Sequence, residues 1–572
     1  MFSIRRKRAR HYADLSPDEI FVDASNLPAY NEQQFEGRIE RPIRRQTFLG
    51  LAIFCGLLVL IFGSKIFYLQ VVNGADYAER SLNNSLSFTP IFAERGDIYD
   101  RRGQELAWTG GLATTTEGLA GRVYINQLGL GHLLGYVSYP NEEEMATGQY
   151  DPKEYLGRAG VEKVENDNLL GERGVQIIEV NAKGEKLSDH IVQKPVPGKE
   201  IKLSIDTRVQ TKFYDLIKQL ANDKGFTGGS GVIMDVQTGE ILALASYPDF
   251  DPNILSTGQD AQTISRYFSD SSHIMLNRAV SGLYTPGSIF KPFVALGALT
   301  EKTIDPRKTF VTNGELVVPN PYDKTQETVF KDWKNNGTVD LRRAIAVSSN
   351  VYFYIIGGGF GNQKGLGIDK IGQYARLFGL SQKTDINLPN EAEGVIPSPA
   401  WKAKNFKGEP WRLGDTYHTS IGQYGVSVTP IQMARAYSAI ANKGKLIQPT
   451  ILAIKPEQAI VQASLPISAE NFQIIHEGMR GVVLEGTASA LNVPYLEVAA
   501  KTGTAELGVS KEKVNSWSVG FWPYQSPRYA FVVAMEKGDR SNLVGGVFVV
   551  RQLLDWMNLN TPEYLTSLPA RP

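Results

Sequence analysis

The sequence has few of the residues that usually mark a redox or metal site. Cys55 is its one cysteine, so no disulfide can form within the chain. Its six histidines are scattered without the spacing of metal ligands, which argues against a metal enzyme. Basic and acidic residues number 60 each, and a net charge of zero gives no indication of nucleic-acid binding.

Long hydrophobic runs are also scarce. The sequence "FLGLAIFCGLLVLIFGS" at Phe48–Ser64 contains no charge, and its length is near the short end of the ~17–25 residues that span a bilayer. Lys65 can extend its ammonium group to the headgroups, so the run predicts a transmembrane helix over residues 47–72. One alternative is a buried helix of a soluble domain. A cleaved signal peptide is disfavoured by the long segment before the run and the lack of a small-x-small site after it.

Basic residues on the two sides of this run predict its orientation. The sequence before it contains "RRKRAR" at 5–10, Arg41, Arg44 and Arg45, whereas Lys65 and Arg80 follow it. The positive-inside rule then places the N-terminus in the cytoplasm and the rest of the chain on the outer side of the plasma membrane. The cluster at 5–10 most simply contacts anionic lipid, with nucleic acid as the weaker alternative.

A chain of 572 residues predicts two or more domains. Residues 1–46 are polar and form a tail. Residues 73–199 form the next region. It begins with "NGADYAERSLNNS", which predicts a helix, and from Thr109 to Lys199 it is rich in glycine and short apolar runs, with no long helix pattern. A Pro/Gly hinge near residue 199 precedes an α/β pattern over 200–560, and 561–572 form a second tail.

The strand patterns of the 200–560 region lie at its two ends. They fall at 231–246, 497–506 and 516–536, and the helical patterns lie between the first and the other two. Strands, then helices, then strands predict an antiparallel sheet with a large helical insertion.

The segment "YTPGSIFKPFVALGAL" places a lysine inside an apolar helix pattern. Pro286-Gly287 predicts a turn, and Pro292 fits only the first helical turn because it lacks an N–H, so the helix begins near Ser288. The hydroxyl of Ser288 would lie at the positive end of the helix dipole, and Lys291 shares its helix face. A buried lysine has a lowered pKa and can accept a proton, which makes Ser288 a candidate nucleophile and Lys291 its candidate base.

Ser-x-x-Lys alone is a weak signal, and it occurs again at Ser510–Lys513 in a charged loop. A second element is "AVSSNVYFY", in which Ser348, Ser349 and Asn350 interrupt an apolar helix pattern. These residues compete with helical hydrogen bonds, so they predict a polar turn in which Ser348 relays a proton and Asn350 holds an amide. The alternative is an ordinary interhelix turn, since Ser81-x-Asn83 repeats the pattern.

The third element is a short predicted strand that contains Lys501, Thr502, Gly503 and Thr504. Gly503 would let a substrate backbone approach the strand closely. Lys501 would contribute positive charge, and the hydroxyls of Thr502 and Thr504 could bind a carboxylate. The alternative for the tripeptide Lys-Thr-Gly alone is an ordinary hairpin end.

Together and in this order, the three elements match the S-x-x-K, S-x-N and K-T-G set of penicillin-binding proteins and class A β-lactamases. The chain resembles a class B penicillin-binding protein, a membrane-anchored peptidoglycan D,D-transpeptidase, over roughly residues 48–560. "RGDIYDRRGQELA" and "GRAGVEKVENDNLLGERG" resemble the juxtamembrane region and pedestal of that family. "LASYPDFDPN" and "WRLGDTYHTSIGQYGVSVTPIQMARAYSAIANKG" resemble its transpeptidase domain, and "SSNVYFY" favours the elongation type over the division type.

The resemblance implies a fold. Residues 200–560 would form the α/β fold of serine D,D-transpeptidases and β-lactamases, an antiparallel sheet flanked by helices with a large helical insertion. Residues 73–199 would form an elongated, β-rich pedestal of the dimerisation-like type, shortened here, behind one N-terminal transmembrane helix.

The resemblance also implies a mechanism without metal or cofactor. Ser288 would attack the carbonyl between two D-alanines of a stem peptide while Lys291 takes its proton. Backbone N–H groups of Ser288 and Thr504 would form the oxyanion hole, and Ser348 and Lys501 would act as proton relay and electrostatic partner. D-Alanine would leave, and an amine of a neighbouring stem peptide would take the acyl group. β-Lactams would acylate Ser288 and remain bound.

The sequence departs from the family in its pedestal. Only residues 108–121 separate "RGDIYDRRGQELA" from "RVYIN", where relatives carry a longer stretch that forms the pedestal's head. In the elongation type that head binds regulatory proteins, so its shortening puts activation by a scaffold protein in doubt.

No glycosyltransferase-like domain precedes the pedestal. The family therefore implies a separate glycan polymerase, a multi-spanning membrane protein of the SEDS type, among other elongation-complex partners. It would contact the transmembrane helix and the membrane-near pedestal. The simpler interpretation of the helix is an anchor.

Four alternatives remain for the function. One is a division-type transpeptidase, and another is a D,D-carboxypeptidase or β-lactamase of the same clan, which the pedestal disfavours because a secreted hydrolase has no need of one. A β-lactam-sensing receptor would place a larger membrane module before its sensor. A catalytically silent scaffold of wall synthesis would have no reason to keep Ser288, Lys291, Ser348, Asn350 and Lys501 together.

Overall fold

The computed structural model of the chain describes residues 44–110, 121–181, 185–320, 325–508 and 510–566. Most of the predicted N-terminal tail, the "RRKRAR" cluster, Arg41, most of the shortened stretch 108–121 and the last residues of the C-terminal tail lie outside the described residues. The described chain divides into two compact units. One contains the described residues up to Ser87 together with Ile178–Ser188, and the other contains Phe88–Ile177 and the described residues from Asp189 onward. The predicted domain boundaries remain predictions.

The predicted transmembrane run is one continuous helix. Helix α1, Arg45–Phe67, continues through a π-helical turn, Tyr68–Val72. This 28-residue span contains a window with a mean hydropathy of 2.3, none of which is buried, as expected of a helix that places its side chains in lipid. It is the one helix of the described residues that is long and apolar enough to cross a membrane. Helix α2, Gly74–Ser85, follows it.

In the glycine-rich region that follows, the elements formed by the described residues are short. In chain order they are β1 Leu86–Ile91, β2 Ile98–Tyr99, β3 Glu105–Thr109, β4 Arg122–Tyr124, α3 Gly131–Leu134, β5 Val137–Ser138, α4 Glu142–Ala146, β6 Leu156–Gly157, α5 Gly160–Val164, α6 Asn166–Leu170, β7 Gly174–Val180, β8 Lys186–Gln193 and β9 Ile201–Lys202. Four of the strands form a sheet in the order β4-β3-β2-β9, in which β9 pairs parallel to β2. The sheet thus joins strands from both sides of the Pro/Gly hinge.

A buried ionic cluster holds this small region together. The carboxylate of Glu162 is fully buried, and its two oxygens each accept an N–H at 2.7 Å, one from Arg95 and one from Arg122. The hydroxyl of Tyr124 donates to the same carboxylate at 3.2 Å. The cluster thus links α5, which carries Glu162, to β4 and to the segment before β2 through hydrogen-bonded charges.

A second buried carboxylate explains two of the motifs in the sequence. Asp249, in "SYPDFDPN", accepts the backbone N–H groups of Gly129 and Gly131, in and beside "GHLLG", at 2.9 and 3.0 Å. A Cβ on Gly131 would stand 2.3 Å from the carbonyl oxygen of Phe250, so only glycine allows this approach. The two motifs therefore form one contact, although they lie more than one hundred residues apart.

The remaining elements include both strands and helices. They are α7 Thr207–Lys224, β10 Gly228–Asp235, β11 Ile241–Tyr247, α8 Pro252–Thr257, α9 Ala261–Ser269, α10 Lys291–Thr300, β12 Phe310–Thr312, β13 Glu315–Pro319, β14 Glu327–Lys331, β15 Gly337–Val339, α11 Leu341–Ala346, α12 Asn350–Gly358, α13 Ile368–Leu377, α14 Pro399–Asn405, α15 Leu413–Ser420, α16 Pro430–Ala441, β16 Lys445–Ile447, β17 Val461–Ser464, α17 Ala469–Leu484, β18 Ala499–Leu507, β19 Lys513–Trp522, β20 Tyr529–Asp539 and α18 Gly546–Asn560.

The central sheet has five strands in the order β11-β10-β20-β19-β18, and every neighbouring pair is antiparallel. The predicted antiparallel sheet with a large helical insertion, which runs here from β11 to β18, is confirmed. Helices α7 and α18 pack on the sheet and on each other, and α16 also packs on it. Every residue of α16 is buried, which fits a helix enclosed on all sides by other elements.

We expect Glu162→Gln to lower the free energy of unfolding by about 3–5 kcal/mol, because it leaves two buried guanidinium groups without their carboxylate. Burial opposes ionisation of Glu162, but the charges and hydrogen bonds of Arg95 and Arg122 outweigh it and lower the pKa of this carboxyl. Its stabilisation is therefore present above the pKa of an unfolded glutamate and is lost as pH falls through the lower folded value. Urea denaturation of the full chain measures both effects.

The matched control is Glu144→Gln, which removes the carboxylate of an ion pair with Arg158 whose side chains are both partly exposed. That change should cost about 1 kcal/mol or less. Equal losses in the two variants would contradict the role given to the buried cluster.

Candidate active site

The predicted helix start near Ser288 is a short 3₁₀ turn, Gly287–Phe290, that leads directly into α10. Gly287 has φ +58°, a conformation that favours glycine, and Pro292 lies in the first turn of α10 as expected. Ser288 thus precedes the α-helix by one turn. Its side chain is half-buried, and its hydroxyl makes no hydrogen bond to any described residue, so it is free to react.

Three contacts from distant segments fix this turn. The N–H of Gly287 donates to the carbonyl of Gly422 at 2.9 Å. The indole N–H of Trp517 on β19 donates to the carbonyl of Thr285 at 3.0 Å. The buried hydroxyl of Tyr437 on α16 donates to the carbonyl of Ile289 at 2.7 Å. The position of Ser288 is therefore set by the sheet and by the buried helix together.

Lys291 is fully buried and points to the turn between α11 and α12. Its Nζ donates to the carbonyl of Ser348 at 2.8 Å and to Oδ1 of Asn350 at 2.7 Å, with Oγ of Ser348 at 3.4 Å. Burial lowers the pKa of Lys291 to about 7, against an opposing effect of Asp332. Burial thus favours the neutral amine of Lys291, the form that can accept a proton from Ser288.

The Ser348–Asn350 segment breaks the helix, as predicted. Helix α11 ends at Ala346, Ser348 has φ +58°, and α12 begins at Asn350 with Ser349 as its N-cap. Because of this break, the carbonyl and hydroxyl of Ser348 and the side chain of Asn350 face one point, the Nζ of Lys291. A continuous helix would direct that carbonyl along its own axis.

Lys501 completes the cluster from β18. Its Nζ is fully buried and donates to Oγ of Ser348 at 2.8 Å and to the carbonyl of Thr502 at 2.9 Å. The hydroxyl of Ser348 thus lies between two amines, and a hydroxyl can accept from one and donate to the other. Burial and the neighbouring charge of Lys291 lower the pKa of Lys501 well below its ordinary value.

The other residues of the β18 motif lie on opposite faces of the strand. Lys501 and Gly503 are buried, whereas Thr502 is half-buried and Thr504 is exposed. The hydroxyl of Thr502 bonds with that of Thr487, and Thr504 remains accessible from solvent. Among the described residues β18 is the terminal strand of the sheet, so one of its edges has no strand partner.

Gly503 has a different partner from the one expected. A Cβ at this position would stand 2.7 Å from the carbonyl oxygen of Pro286, and a Cβ on Gly287 would stand 2.9 Å from the carbonyl oxygen of Thr504. The glycine therefore lets the Ser288 turn pack against β18. On its side-chain face the Pro286 carbonyl and Ile289 occupy the space, and the approach of a substrate backbone to Gly503 stays a prediction.

Sequence reasoning missed Asp332, which follows β14. Its carboxylate accepts the hydroxyl of Ser349 at 2.7 Å and the backbone N–H groups of Asn350 and Val351 at 2.9 and 3.1 Å. No spacing in the sequence links "KDWKNNG" to "SSNVYFY", so the pair could not be found without the fold.

The assembled groups can perform acyl transfer. The site has a free hydroxyl at a helix start, a neutralisable amine one turn along, and a second hydroxyl that connects this amine to another. This combination of nucleophile, base and proton path is what a serine acyl-enzyme mechanism needs.

Comparison with known proteins gives consistent matches over most of the chain. Residues 229–552 match the model of the penicillin binding protein transpeptidase domain, and residues 111–203 match that of the penicillin-binding protein dimerisation domain. A peptidoglycan D,D-transpeptidase named MrdA from Acinetobacter baumannii is 29% identical over 86% of this chain and 84% of its own length.

Solved structures are similar as well. A chain of the complex between the penicillin-binding protein PBP2 and MreC from Helicobacter pylori is 25% identical, with a TM-score of 0.69 over 83% of this chain and 99% of that one. A chain of a peptidoglycan synthase complex, described as coordinating polymerization and crosslinking, is 27% identical, with a TM-score of 0.70 over 92% of this chain and 100% of that one.

We expect the rate at which a small activated thioester acylates Ser288 to rise as pH passes through about 7, because the neutral form of Lys291 is the base. Lys291→Met should lose both the rate and this rise, since methionine is similar in length and cannot accept a proton. Stopped-flow detection of the released thiol from pH 5.5 to 9 measures the profile. A Lys291→Met variant that keeps the same pH-dependent rise would assign the base to another residue.

Proposed function

The chain belongs to the penicillin-binding protein transpeptidase family, and on that premise we propose that it is an elongation-type peptidoglycan D,D-transpeptidase, which cross-links stem peptides through an acyl-enzyme on Ser288. The observation that carries the proposal is the hydrogen-bonded series Lys291–Ser348–Lys501 beside the free hydroxyl of Ser288.

In the first half-reaction, Oγ of Ser288 attacks the carbonyl carbon between the last two D-alanines of a donor stem peptide. The hydroxyl proton passes to the neutral Nζ of Lys291. The C–N bond of the resulting tetrahedral intermediate then breaks, and D-alanine leaves with a proton delivered through Ser348, whose hydroxyl contacts both lysines. The donor peptide remains as an ester on Ser288.

In the second half-reaction, an amine of a neighbouring stem peptide attacks the ester carbonyl. The amine loses a proton to the Lys291–Ser348–Lys501 series, the C–O bond to Ser288 breaks, and the hydroxyl recovers its proton. The product is an amide cross-link between two stem peptides. No other co-reactant is consumed, and all proton transfers take place on side chains of this chain.

The oxyanion of each tetrahedral intermediate needs donors close to Oγ of Ser288. We assign this role to the backbone N–H groups of Ser288 and Thr504. The support is the close approach of the two segments, in which the Cβ position of Gly287 lies 2.9 Å from the carbonyl oxygen of Thr504. Thr502 and Thr504, on the solvent-facing side of β18, would bind the terminal carboxylate of the donor.

β-Lactams would acylate the same serine. Their amide is part of a ring, so the leaving group stays attached after the C–N bond breaks and blocks entry of the acceptor amine. The same active site thus accounts for penicillin binding.

The basic residues around α1 support a proposal for where the reaction takes place. We propose a single-pass protein of the plasma membrane, with the N-terminus in the cytoplasm and the catalytic unit on the outer side. The support is Arg44 and Arg45 at the N-terminal end of α1, together with the other basic residues that precede it in the sequence.

A glycan polymerase is the partner we propose for α1. Its apolar surface is exposed along its whole length, and the synthase complex with a similar chain is described as coordinating polymerization with crosslinking. A SEDS-type polymerase of several transmembrane helices offers the small-residue and apolar faces on which such a helix packs.

We expect fluorescent penicillin to label the wild-type chain and to leave Ser288→Ala unlabelled, because the alanine variant has no nucleophile. Ser510→Ala is the matched control, since Ser510 begins a second Ser-x-x-Lys in an exposed loop. Labelling is read by in-gel fluorescence on the full chain in detergent. Equal labelling of wild type and Ser288→Ala would contradict the proposal of an acyl-enzyme on Ser288.

The products distinguish transpeptidase from carboxypeptidase. With polymerised glycan as substrate, a transpeptidase forms cross-linked dimers and one D-alanine per cross-link, whereas a carboxypeptidase releases D-alanine with no dimer. Chromatography of digested product separates the two outcomes.

We also expect that replacing residues 47–72 by an unrelated transmembrane helix of equal length will abolish co-purification with the glycan polymerase. Penicillin labelling of the chimera should stay at the wild-type level, because the replaced residues lie outside the catalytic unit. If the chimera binds the polymerase as well as wild type does, α1 serves as an anchor and the contact lies elsewhere.

A further inference from the structure

The turn that faces Lys291, Ser348–Asn350, is held by the carboxylate of Asp332, which belongs to a different segment of the chain. Both oxygens of Asp332 are engaged by this turn: one accepts the N–H of Asn350, and the other accepts the hydroxyl of Ser349 and the N–H of Val351. Asp332 thereby occupies the N-terminal end of α12, where free N–H groups and the helix dipole favour a negative charge. A second segment of the chain thus caps this helix in addition to its own N-cap, Ser349.

Neighbours of Asp332 attach the same segment at two more points. The indole N–H of Trp333 donates to the carbonyl of Val347 at 3.2 Å, and the hydroxyl of Tyr354 donates to the carbonyl of Lys331 at 3.3 Å. Residues 331–333, here called the 331–333 clamp, therefore hold the residues on both sides of Ser348.

The groups held by the clamp are the ones that receive Lys291. The carbonyl of Ser348 and Oδ1 of Asn350 accept hydrogen bonds from Nζ of Lys291, and Asn350 is also the residue whose N–H donates to Asp332. A shift of this turn would therefore move the acceptors that fix the position of Nζ of Lys291. On its α11 side the turn is held by its own backbone, since the N–H groups of Ser348 and Ser349 donate to the carbonyls of Ile345 and Ala344. On its α12 side the N–H groups of Asn350 and Val351 have Asp332 as their acceptor.

Asp332 also acts on Lys291 through its charge. Helix α10 has no other titratable side chain, and α12 contributes the ring of Phe353, 5.5 Å from Nζ of Lys291. Lys501 faces it from β18, and Asp332 faces it from the residues after β14. Burial favours loss of the proton of Lys291. Among the described residues, Asp332 is the one acidic group whose charge opposes that loss.

We propose that Asp332 is a positioning residue of the acyl-transfer site, which sets the geometry of the Ser348–Asn350 turn that holds Nζ of Lys291, without touching the substrate. The proposal rests on the acyl-enzyme function proposed above. It gives the 331–333 clamp a role in keeping Lys291 effective as a base. None of the three sequence motifs indicates this role.

The test compares Asp332→Asn with wild type in the rate of acylation by fluorescent penicillin from pH 5.5 to 9. Asparagine has the same shape as aspartate but no charge. Its NH₂ group is a donor and would face another donor, an N–H or a hydroxyl, so at least one hydrogen bond to the turn is lost. We expect the rate at the optimum to fall tenfold or more, since a displacement of about 1 Å in an active site can cost about a hundredfold. We also expect the acid limb to move to lower pH by about one unit, because removing a nearby negative charge lowers the pKa of Lys291.

The matched control is Asp340→Asn. Asp340 caps the preceding helix α11 by accepting the N–H of Arg343 at 2.9 Å and is not among the groups that shift the pKa of Lys291. This variant loses a helix cap, as Asp332→Asn does, so it reports the effect of capping alone. Its acid limb should remain at the wild-type pH.

The shift of the acid limb separates positioning from general destabilisation. An Asp332→Asn variant with the wild-type rate, or with an acid limb that is unmoved or moved to higher pH, would overturn the proposal. Should Asp332→Asn fail to fold, Ser349→Ala tests the same contact, since it removes one hydrogen bond to Asp332 and keeps the charge. We expect a lower rate with an unshifted acid limb, and a wild-type rate for Ser349→Ala would equally overturn the proposal.

This experiment can fail independently of the proposed function. If wild type is labelled and Ser288→Ala is not, the acyl-enzyme stands whatever Asp332→Asn does. If wild type takes no label at any pH, the acyl-enzyme itself is wrong, and the role of Asp332 falls with it.

Discussion

The burial of two lysine side chains against one hydroxyl is the constraint on which the rest of the site depends. An ammonium group without hydrogen-bond partners is very unfavourable in a protein interior, so the fold must supply acceptors where Lys291 and Lys501 end. It supplies the carbonyl of Ser348, the amide oxygen of Asn350 and the carbonyl of Thr502. The same burial makes Lys291 neutralisable near pH 7, so the unfavourable placement is also the source of the base. Stability and reactivity are therefore in conflict at this point of the structure.

The site lies where several elements of the fold meet, and these elements hold its reactive groups in place. The Ser288 turn is fixed by Trp517 from the sheet and by Tyr437 from the fully buried α16. Lys501 is fixed by the register of β18 against β19, in which it pairs with Val519. The break between α11 and α12 is held by the carboxylate of Asp332, which belongs to a different segment of the chain. Each reactive group is thus supported by an element that carries no reactive group itself.

Local features of the site could be predicted from the sequence because they depend on near neighbours. Pro286 and Pro292 restrict the backbone around Ser288 so strongly that the start of the helix follows from them. Serine and asparagine compete with helical hydrogen bonds, which located the break at Ser348. The order of strands and helices likewise predicted the antiparallel sheet and its insertion, since element type depends largely on residues close in sequence.

Features that depend on distant contacts could not be predicted. The partner of Gly503 is the carbonyl of Pro286, and only the packing of the turn on β18 reveals it. Asp332 has no sequence pattern that connects it to Asn350, because a hydrogen bond to a backbone N–H requires no particular residue at the other end. The protonation of Lys501 depends on Lys291, which lies far away in the sequence, and on the depth of burial that the whole fold creates.

The contact between Gly287, Gly503 and the opposite backbone limits how this protein can evolve under antibiotic selection. A Cβ at either position would collide with a carbonyl oxygen of the facing segment, so neither can be exchanged for a larger residue to narrow the entrance against a drug. Backbone atoms on both sides cannot yield as a side chain would. Adaptive change must therefore begin at positions that face solvent, such as Thr504, or at the elements behind the turn, where a substitution alters motion more than shape.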